Sequence, residues 1–397
     1  MKSKIVSSTA GKRGANIRSD CYFEIKVKKS GGIKTIIKNN SVSLYSEVNR
    51  NLINKMCHFF TLKNAEILFE DSGALPFVIA ARFESAINKV FPQNDKEFLL
   101  PFNKKNLYRS SKNCLRRSRL YLPGNEPKFF INAGLHKPDG IILDLEDSVS
   151  YPEKHSAQLL VRNALRSVDF YGSERMVRIN QLPEGFKDLR YIVLNNVHVI
   201  LIPKCETPQQ VIDVENEVIR ITKENNIKNE IYFMPIIESA LGTINSYKIA
   251  TASLNVCALA IGLEDYTADI GVPRTSEGKE SLFARSMIIN AAKAASIQAV
   301  DSVYSDIGDM EGLRESVLEA KSLGFEGKGC IHPRQIPIVH ENFAPTPDEI
   351  ERARKIVSAY KEAEKRGLGV VSLGSKMIDA PVVKRAQRTI QLAELMN

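Results

Sequence analysis

From Leu115 onward the chain repeats one pattern: a short apolar run that ends in a polar residue, then an amphipathic stretch at helical spacing. The runs end at Leu122, Leu145, Ile179, Pro203, Ile237, Leu263, Tyr304 and Ile331. Helical spacing fills residues 154–166, 207–224, 239–253, 279–294 and 312–323 between them. Eight strands alternating with helices, over roughly 220 residues, predict an α/β fold of the (β/α)8 barrel type, with a doubly wound open sheet as the alternative. The clearest run is Ile141-Ile142-Leu143-Asp144-Leu145-Glu146-Asp147-Ser148-Val149. It reads as a buried parallel strand that leaves the core in three carboxylates within four residues.

Polar residues gather at the other strand ends too. They are Pro123-Gly124-Asn125, Arg178 and Asn180, Lys204, Glu238, Glu264-Asp265, Ser305 and His332. In a barrel all these ends share one face, where ligands bind. Carboxylates packed as Asp144, Glu146 and Asp147 are repel one another unless a cation, an arginine or a proton intervenes. The run therefore points to a divalent metal or an electrophilic site nearby; helix-capping acids are the competing reading.

Ahead of the barrel, residues 1–91 read as a small α+β domain. Residues 1–20 are polar and suggest a loose lead-in. Cys21, Phe23, Ile25 and Val27 alternate with polar residues in a half-buried strand. A second strand follows at 33–38, a helix at 43–60, a strand at 65–69 and a helix with a Leu75, Val78, Ile79, Phe83, Ile87, Val90 stripe. Residues 92–112 read as a linker, 113–340 as the barrel, and 341–397 as a helical arm or lid. The arm holds two Gly-flanked turns, at Gly367-Leu368-Gly369 and Gly374-Ser375, around an apolar strand.

Charge separates the two parts. Residues 1–112 carry 20 Lys and Arg against 9 Asp and Glu, and the remainder 35 against 37. The basic part suits nucleic acid, an acidic partner subunit, a phosphorylated group or plain solvation. It has no stacking-aromatic motif and no recognition-helix signature, which argues against nucleic acid. No run of eighteen apolar residues suggests a membrane span, and the N-terminus lacks the apolar region of a secretory signal. Six cysteines without paired spacing suit reduced thiols in a cytoplasm.

The strand ends spell a series of motifs: Arg117-Ser118-Arg119-Leu120-Tyr121-Leu122-Pro123-Gly124-Asn125, the Asp144 run, Val177-Arg178-Ile179-Asn180 and Pro203-Lys204. Ile237-Glu238-Ser239-Ala240, Gly262-Leu263-Glu264-Asp265-Tyr266, Gly327-Lys328-Gly329-Cys330-Ile331-His332-Pro333 and Lys376-Met377-Ile378-Asp379-Ala380-Pro381 continue the series. In this order, over residues 113–397, they resemble the motifs of the citrate lyase beta-subunit family, within the wider aldolases and malyl-CoA-type lyases. The N-terminal module resembles the citrate lyase gamma subunit, an acyl carrier, best over Glu70-Asp71-Ser72-Gly73-Ala74-Leu75.

The resemblance implies a Mg²⁺-dependent carbon–carbon lyase that cleaves a citryl thioester to oxaloacetate and an acetyl thioester. A malyl-CoA or citramalyl-CoA lyase with a vestigial N-terminal module is the alternative. Glu238 and Asp265 would hold Mg²⁺, and Arg178 would face the thioester carbonyl or clamp a substrate carboxylate. Asp144, Glu146 and Asp147 would orient Arg178 and metal-bound water. Pro123, Gly124, Asn125 and Lys204 would contact the substrate. Asp379, on an arm reaching a neighbouring subunit, would exchange the proton of the acetyl carbon. The resemblance further implies a homo-oligomer, a trimer or a multiple of three, and an alpha (transferase) partner subunit. The carrier's phosphopantetheine-type, dephospho-CoA-derived group sits on a serine in a Ser-X-Asp context. Here the sequence is Arg18-Ser19-Asp20. Either Ser19 carries the group in a shifted register or the module is not a working carrier.

Overall fold

The computed structural model describes residues 7–39, 45–365, 370–373 and 376–396. The N-terminal domain runs β1 (Ser7–Gly11), β2 (Asp20–Val27), β3 (Ile33–Asn39), α1 (Ser46–Phe59), β4 (Ala65–Ser72) and α2 (Pro76–Val90). Its sheet has the order β1-β2-β4-β3, with β3 parallel to β4 and the other pairs antiparallel. Alternation along β2 and β4 buries Phe23, Ile25, Ile67 and Phe69 on one face. Phe23 stacks on Phe69 at 4.8 Å and meets the edge of Phe83 at 5.4 Å. Part of the expected loose lead-in is the edge strand β1. Ser7-Ser8-Thr9-Ala10-Gly11 carries almost no apolar signal, because it joins through backbone pairing to β2. The helix expected from Ser43 is described from Ser46; Ser43 and Leu44 lie outside the described residues.

The barrel takes the chain through β5 (Ser118–Pro123), α3 (Pro127–Phe130), β6 (Gly140–Asp144), α4 (Lys154–Ser167), β7 (Glu174–Arg178), α5 (Gly185–Ile192), β8 (Val199–Ile202) and α6 (Pro208–Glu224). It continues through β9 (Tyr232–Ile237), α7 (Ala240–Ala250), β10 (Ala258–Ile261), α8 (Leu263–Asp269), α9 (Leu282–Ala294), β11 (Gln298–Asp301), α10 (Met310–Leu323), β12 (Gly327–Cys330) and α11 (Gln335–Phe343). The eight strands are parallel and closed, β12 pairing with β5 and β9 with β10, which excludes the open sheet. Ile142, Met176, Leu201, Met234, Ile236, Ala260 and Val300 fill the interior. The opposite strand faces pack on the helices.

The two domains share one continuous apolar cluster. Helix α2 lies between its own sheet and α4, and twelve of its fifteen residues are buried. Across this contact Arg162 grips Glu84 with two bonds of 2.8 and 2.7 Å, both side chains at most 1% exposed. Asn163 donates to the Phe77 carbonyl at 3.1 Å. Arg82 holds Asp20 through two bonds of 3.0 and 2.7 Å, then reaches Ser156 Oγ at 2.7 Å and the Asn125 carbonyl at 3.3 Å. The linker stretch is pinned to the barrel: Asn103 N–H donates to the Arg166 carbonyl at 2.7 Å, and Asn106 side-chain N–H to the Val168 carbonyl.

After the barrel come α12 (Pro347–Lys365), the hairpin β13 (Val371–Leu373) and β14 (Lys376–Ile378), and α13 (Ala380–Met396). Helices α12 and α13 pack together, and Arg388 of α13 meets Glu326, just before β12, at 2.6 Å. The glycines at 367, 369 and 374 lie outside the described residues. No helix among the described residues is long and apolar enough to cross a membrane. All six cysteines are free thiols.

Candidate active site

A cavity of about 520 Å³ opens at the C-terminal ends of the barrel strands. Parallel register places Asp144 directly beside Arg178 on the next strand. Arg178 Nε and Nη2 donate to the two Asp144 oxygens at 2.7 and 2.8 Å. Its Nη1 lies 2.7 Å from Glu146 Oε2 and 3.6 Å from Asp147 Oδ2, and the guanidinium sits 5.5 Å above the Tyr121 ring. Burial alone would raise the Asp144 carboxyl; Arg178 overrides it and holds the group below its usual range. Asp144 also accepts from the backbone N–H groups of Glu146 and Ser148, so the acidic turn is folded around it.

Glu146 differs. Its Oε2 makes no hydrogen bond despite the nearby guanidinium. Burial, only partly offset by Arg178 and reinforced by Asp147, Glu238 and Asp144, pushes it up to about 8. Glu238, at the end of β9, is pushed up to about 7 by burial, against the Lys204 N–H that donates to Oε1 at 2.6 Å. Asp265 adds to the rise. A Cβ on Gly262 would lie 2.4 Å from Glu238 Oε2, so glycine is required where β10 ends beside this carboxylate.

Lys204, in the left-handed conformation at φ 47°, spans the cluster. Its Nζ is 3.8 Å from Glu146 Oε1 and 3.7 Å from Asp265 Oδ1. Burial would lower this ammonium, but Glu146, Asp147, Asp265 and Glu238 together raise it. Asp265 lies in the first turn of α8 and lines the cavity with Glu238.

Among the described residues no three His, Cys, Asp or Glu side chains converge as a closed metal cage. Two carboxylates on one cavity, one held near neutrality by burial, are the donor set of a hard cation that keeps most of its ligands as water. The residues therefore fit Mg²⁺.

Pro123 lines the cavity. Gly124 is buried behind it, where a Cβ would strike the Asp144 carbonyl at 2.5 Å. Asn125 turns its carbonyl to Arg82. Asp379 does not line its own chain's cavity; its carboxylate accepts from Val382 N–H at 3.1 Å at the start of α13. Ser19 stands in the N-terminal domain at φ 56°, its N–H bonded to the Ser72 carbonyl at 2.9 Å. Two residues were not singled out from sequence. Tyr121 was findable because it alternates inward with Arg119 and Pro123; Arg274, which pairs with Glu264 at 2.6 Å, comes from an unpatterned loop.

A closed parallel barrel with acidic and basic strand ends around one mouth defines a (β/α)8 enzyme scaffold. Residues 117–333 match the HpcH/HpaI aldolase/citrate lyase family, and the chain belongs to that family. Residues 10–90 match the malonate decarboxylase delta subunit family of acyl carrier proteins. The citrate lyase beta subunit of Haemophilus influenzae is 42% identical over 283 residues, which are 70% of this chain and 97% of that one. Human mitochondrial citramalyl-CoA lyase is 33% identical over 290 residues, 70% of this chain and 85% of that one. Among solved structures, the CitE protein of Mycobacterium tuberculosis with magnesium, acetoacetate and coenzyme A matches at TM-score 0.60 and 27% identity, covering 72% of this chain and all of that one. The citrate lyase beta subunit of the same organism, with oxaloacetate and magnesium, matches at TM-score 0.51 and 29% identity, covering 59% and 99%.

Proposed function

We propose that this chain is a Mg²⁺-dependent carbon–carbon lyase that cleaves a citryl thioester, on an acyl carrier or on coenzyme A, to oxaloacetate and an acetyl thioester. The observation that carries this reading is one cavity holding Arg178 with the carboxylate pair Glu238 and Asp265. The 42% identity to a citrate lyase beta subunit supports the substrate.

In this cleavage the substrate hydroxyl gives its proton to water in the mouth as the bond from the carbinol carbon to the thioester α-carbon breaks, leaving a keto group. The bonding electrons pass to the thioester as an enolate, and the α-carbon then takes up a proton. Glu238 and Asp265 would hold Mg²⁺, which when bound supplies positive charge to the substrate's hydroxyl and carboxylate oxygens. Arg178 faces the carbonyl where enolate charge develops, and Asp144 fixes the plane of the guanidinium for that task. Glu146 and Asp147 meet its other edge, and would also orient water brought in by the metal. Lys204 presents a cation to a substrate carboxylate, and Pro123, backed by Gly124, forms the wall for the thioester arm; Asn125 faces Arg82 instead of the cavity. Asp379 of a neighbouring copy delivers the proton to the acetyl carbon.

The chain works in the cytoplasm as a homo-oligomer of three or a multiple of three, with an alpha (transferase) subunit to reload the thioester. The N-terminal domain serves as a fused carrier, with a phosphopantetheine-type group on Ser19. A second reading is favoured by one observation. Arg82, which holds Asp20 next to Ser19, also donates to Ser156 Oγ and the Asn125 carbonyl of the barrel, and Arg162 of the barrel grips Glu84, so the domain is fixed to the barrel and not free to swing. In that reading the domain is structural and the substrate is a free malyl- or citramalyl-CoA thioester.

The test is release of the keto acid from citryl-CoA, malyl-CoA and citramalyl-CoA with Mg²⁺, with and without EDTA. Oxaloacetate from citryl-CoA, lost with EDTA and lost in Asp265→Ala while circular dichroism is unchanged, is the expected result. Undiminished turnover in Asp265→Ala overturns the metal assignment. Preference for another thioester selects the second reading.

A further inference from the structure

At the end of the barrel away from the mouth, a cavity of about 190 Å³ lies between residues 107–110, the start of β7 and the loops before β8 and β9. It is smaller than the pockets of drug-sized ligands, which begin near about 300 Å³. Arg175 lines it and is 1% exposed. Arg175 Nε donates to the Asn196 carbonyl at 2.7 Å and Nη2 to the Tyr108 carbonyl at 3.3 Å, but Nη1 has no partner. Asn196 lines the same cavity, and its buried Nδ2 has no partner either.

The charge is as unbalanced as the donors. Of the six basic side chains buried to 1% or less among the described residues, Arg82, Arg116, Arg162 and Lys328 each meet a carboxylate at 2.7 Å. Arg119 and Arg175 do not, and Arg175 is the one beside this cavity. A buried guanidinium with no counter-charge is costly. Its neighbour Glu174 is committed to Arg116 by bonds of 2.7 and 2.8 Å.

His198 sharpens the excess. Its Nδ1 faces the Arg175 backbone N–H at 3.2 Å and its Nε2 faces Arg175 Nη2 at 2.6 Å. With its one proton on Nε2, donated to the Tyr108 carbonyl at 3.1 Å, the neutral ring accepts the Arg175 backbone N–H at Nδ1 and offers Arg175 Nη2 no acceptor. Burial and Arg175 pull His198 down to about 4, so the ring stays neutral. The one acid on the cavity, Glu230, is exposed at the rim and accepts from Tyr232 O–H at 2.9 Å.

We infer that this cavity binds a small oxyanion, a phosphate or a carboxylate, with Arg175 and Asn196 as donors and Arg109 closing over it. The anion would tie the segment leading into the barrel to the starts of β7 and β8. The site is remote from the catalytic mouth, so the inference stands apart from the proposed reaction.

Thermal unfolding and calorimetry of the full chain, with inorganic phosphate and with acetate against chloride at equal ionic strength, test it. A saturable rise in Tm with phosphate or acetate is expected, and which one binds more tightly names the source. Arg175→Met should weaken binding at least tenfold. Asn196→Asp, which places a carboxylate on the cavity that Arg175 lines, at a left-handed position that Asp tolerates, should raise Tm without phosphate and abolish the response. Glu230→Gln should tighten binding. The inference is overturned if the wild type shows no saturable response, if Arg175→Met responds equally, or if Asn196→Asp lowers Tm. Destabilisation by Glu230→Gln in phosphate-free buffer would make Glu230 the counter-ion and overturn it as well.

Discussion

Individual groups in this protein titrate far from their usual range, and each shift has a packing cause. Glu238 and Glu146 rise because burial leaves them short of positive charge, while Asp144, equally buried, stays low because Arg178 binds it at both oxygens. His198 is the opposite case, held down to about 4 by burial and by Arg175. Its unfolded value is near 6.5, so between about pH 6.5 and 4 the unfolded chain binds the extra proton. Stability from neutral His198 is therefore full above pH 6.5 and lost as pH falls toward 4. The shift corresponds to roughly 3 kcal/mol. His198→Gln keeps an acceptor and removes the titration. Urea unfolding at pH 7 and pH 4.5 should show a smaller acid loss in this variant than in wild type; equal losses would place the acid sensitivity elsewhere.

At the level of elements, α2 joins the domains. Removing one partner of the Glu84–Arg162 pair leaves a buried charge unpaired, which costs about 3–5 kcal/mol. Glu84→Ala should lower the unfolding free energy from urea titration by that amount and still unfold in one transition, because both domains share one core. Two separate transitions in the wild type would refute the docked arrangement. This contact was hidden in the sequence. The stripe of α2 announced one apolar face and left Arg82 and Glu84 off it; small Ala80, Ala81 and Ala86 are the sequence's sign of a second packed face. The barrel strands were legible, since each apolar run ends where polar side chains enter the mouth. Most ends fall within two residues of the ladder's limits. The exception is β11, which leaves the ladder at Asp301 while Ser302-Val303-Tyr304 still read as strand. The acid cluster, Arg178, Glu238 and Asp265 were visible as strand-end residues. The pairing of Arg178 with Asp144 needed the register, which spacing along one chain does not carry.

For the whole molecule, the position of Asp379 decides how many chains make one active site. It caps α13 and is absent from its own chain's cavity, and α13 is held by Arg388 to Glu326 at the start of β12, the opposite end from the mouth. The proposed proton donor Asp379 therefore serves a cavity in another copy, as a ring of identical head-to-tail contacts provides. Asp379→Ala and Asp265→Ala should each be inactive alone. Co-assembled in equal amounts, they should regain about a quarter of wild-type turnover, because a working site then draws its Asp265 and its Asp379 from different chains. Mixing after separate assembly should regain less, limited by subunit exchange. Activity of Asp379→Ala alone, or no recovery after co-assembly with heteromers shown by mass, would return Asp379 to the role its hydrogen bond already describes, the cap of α13.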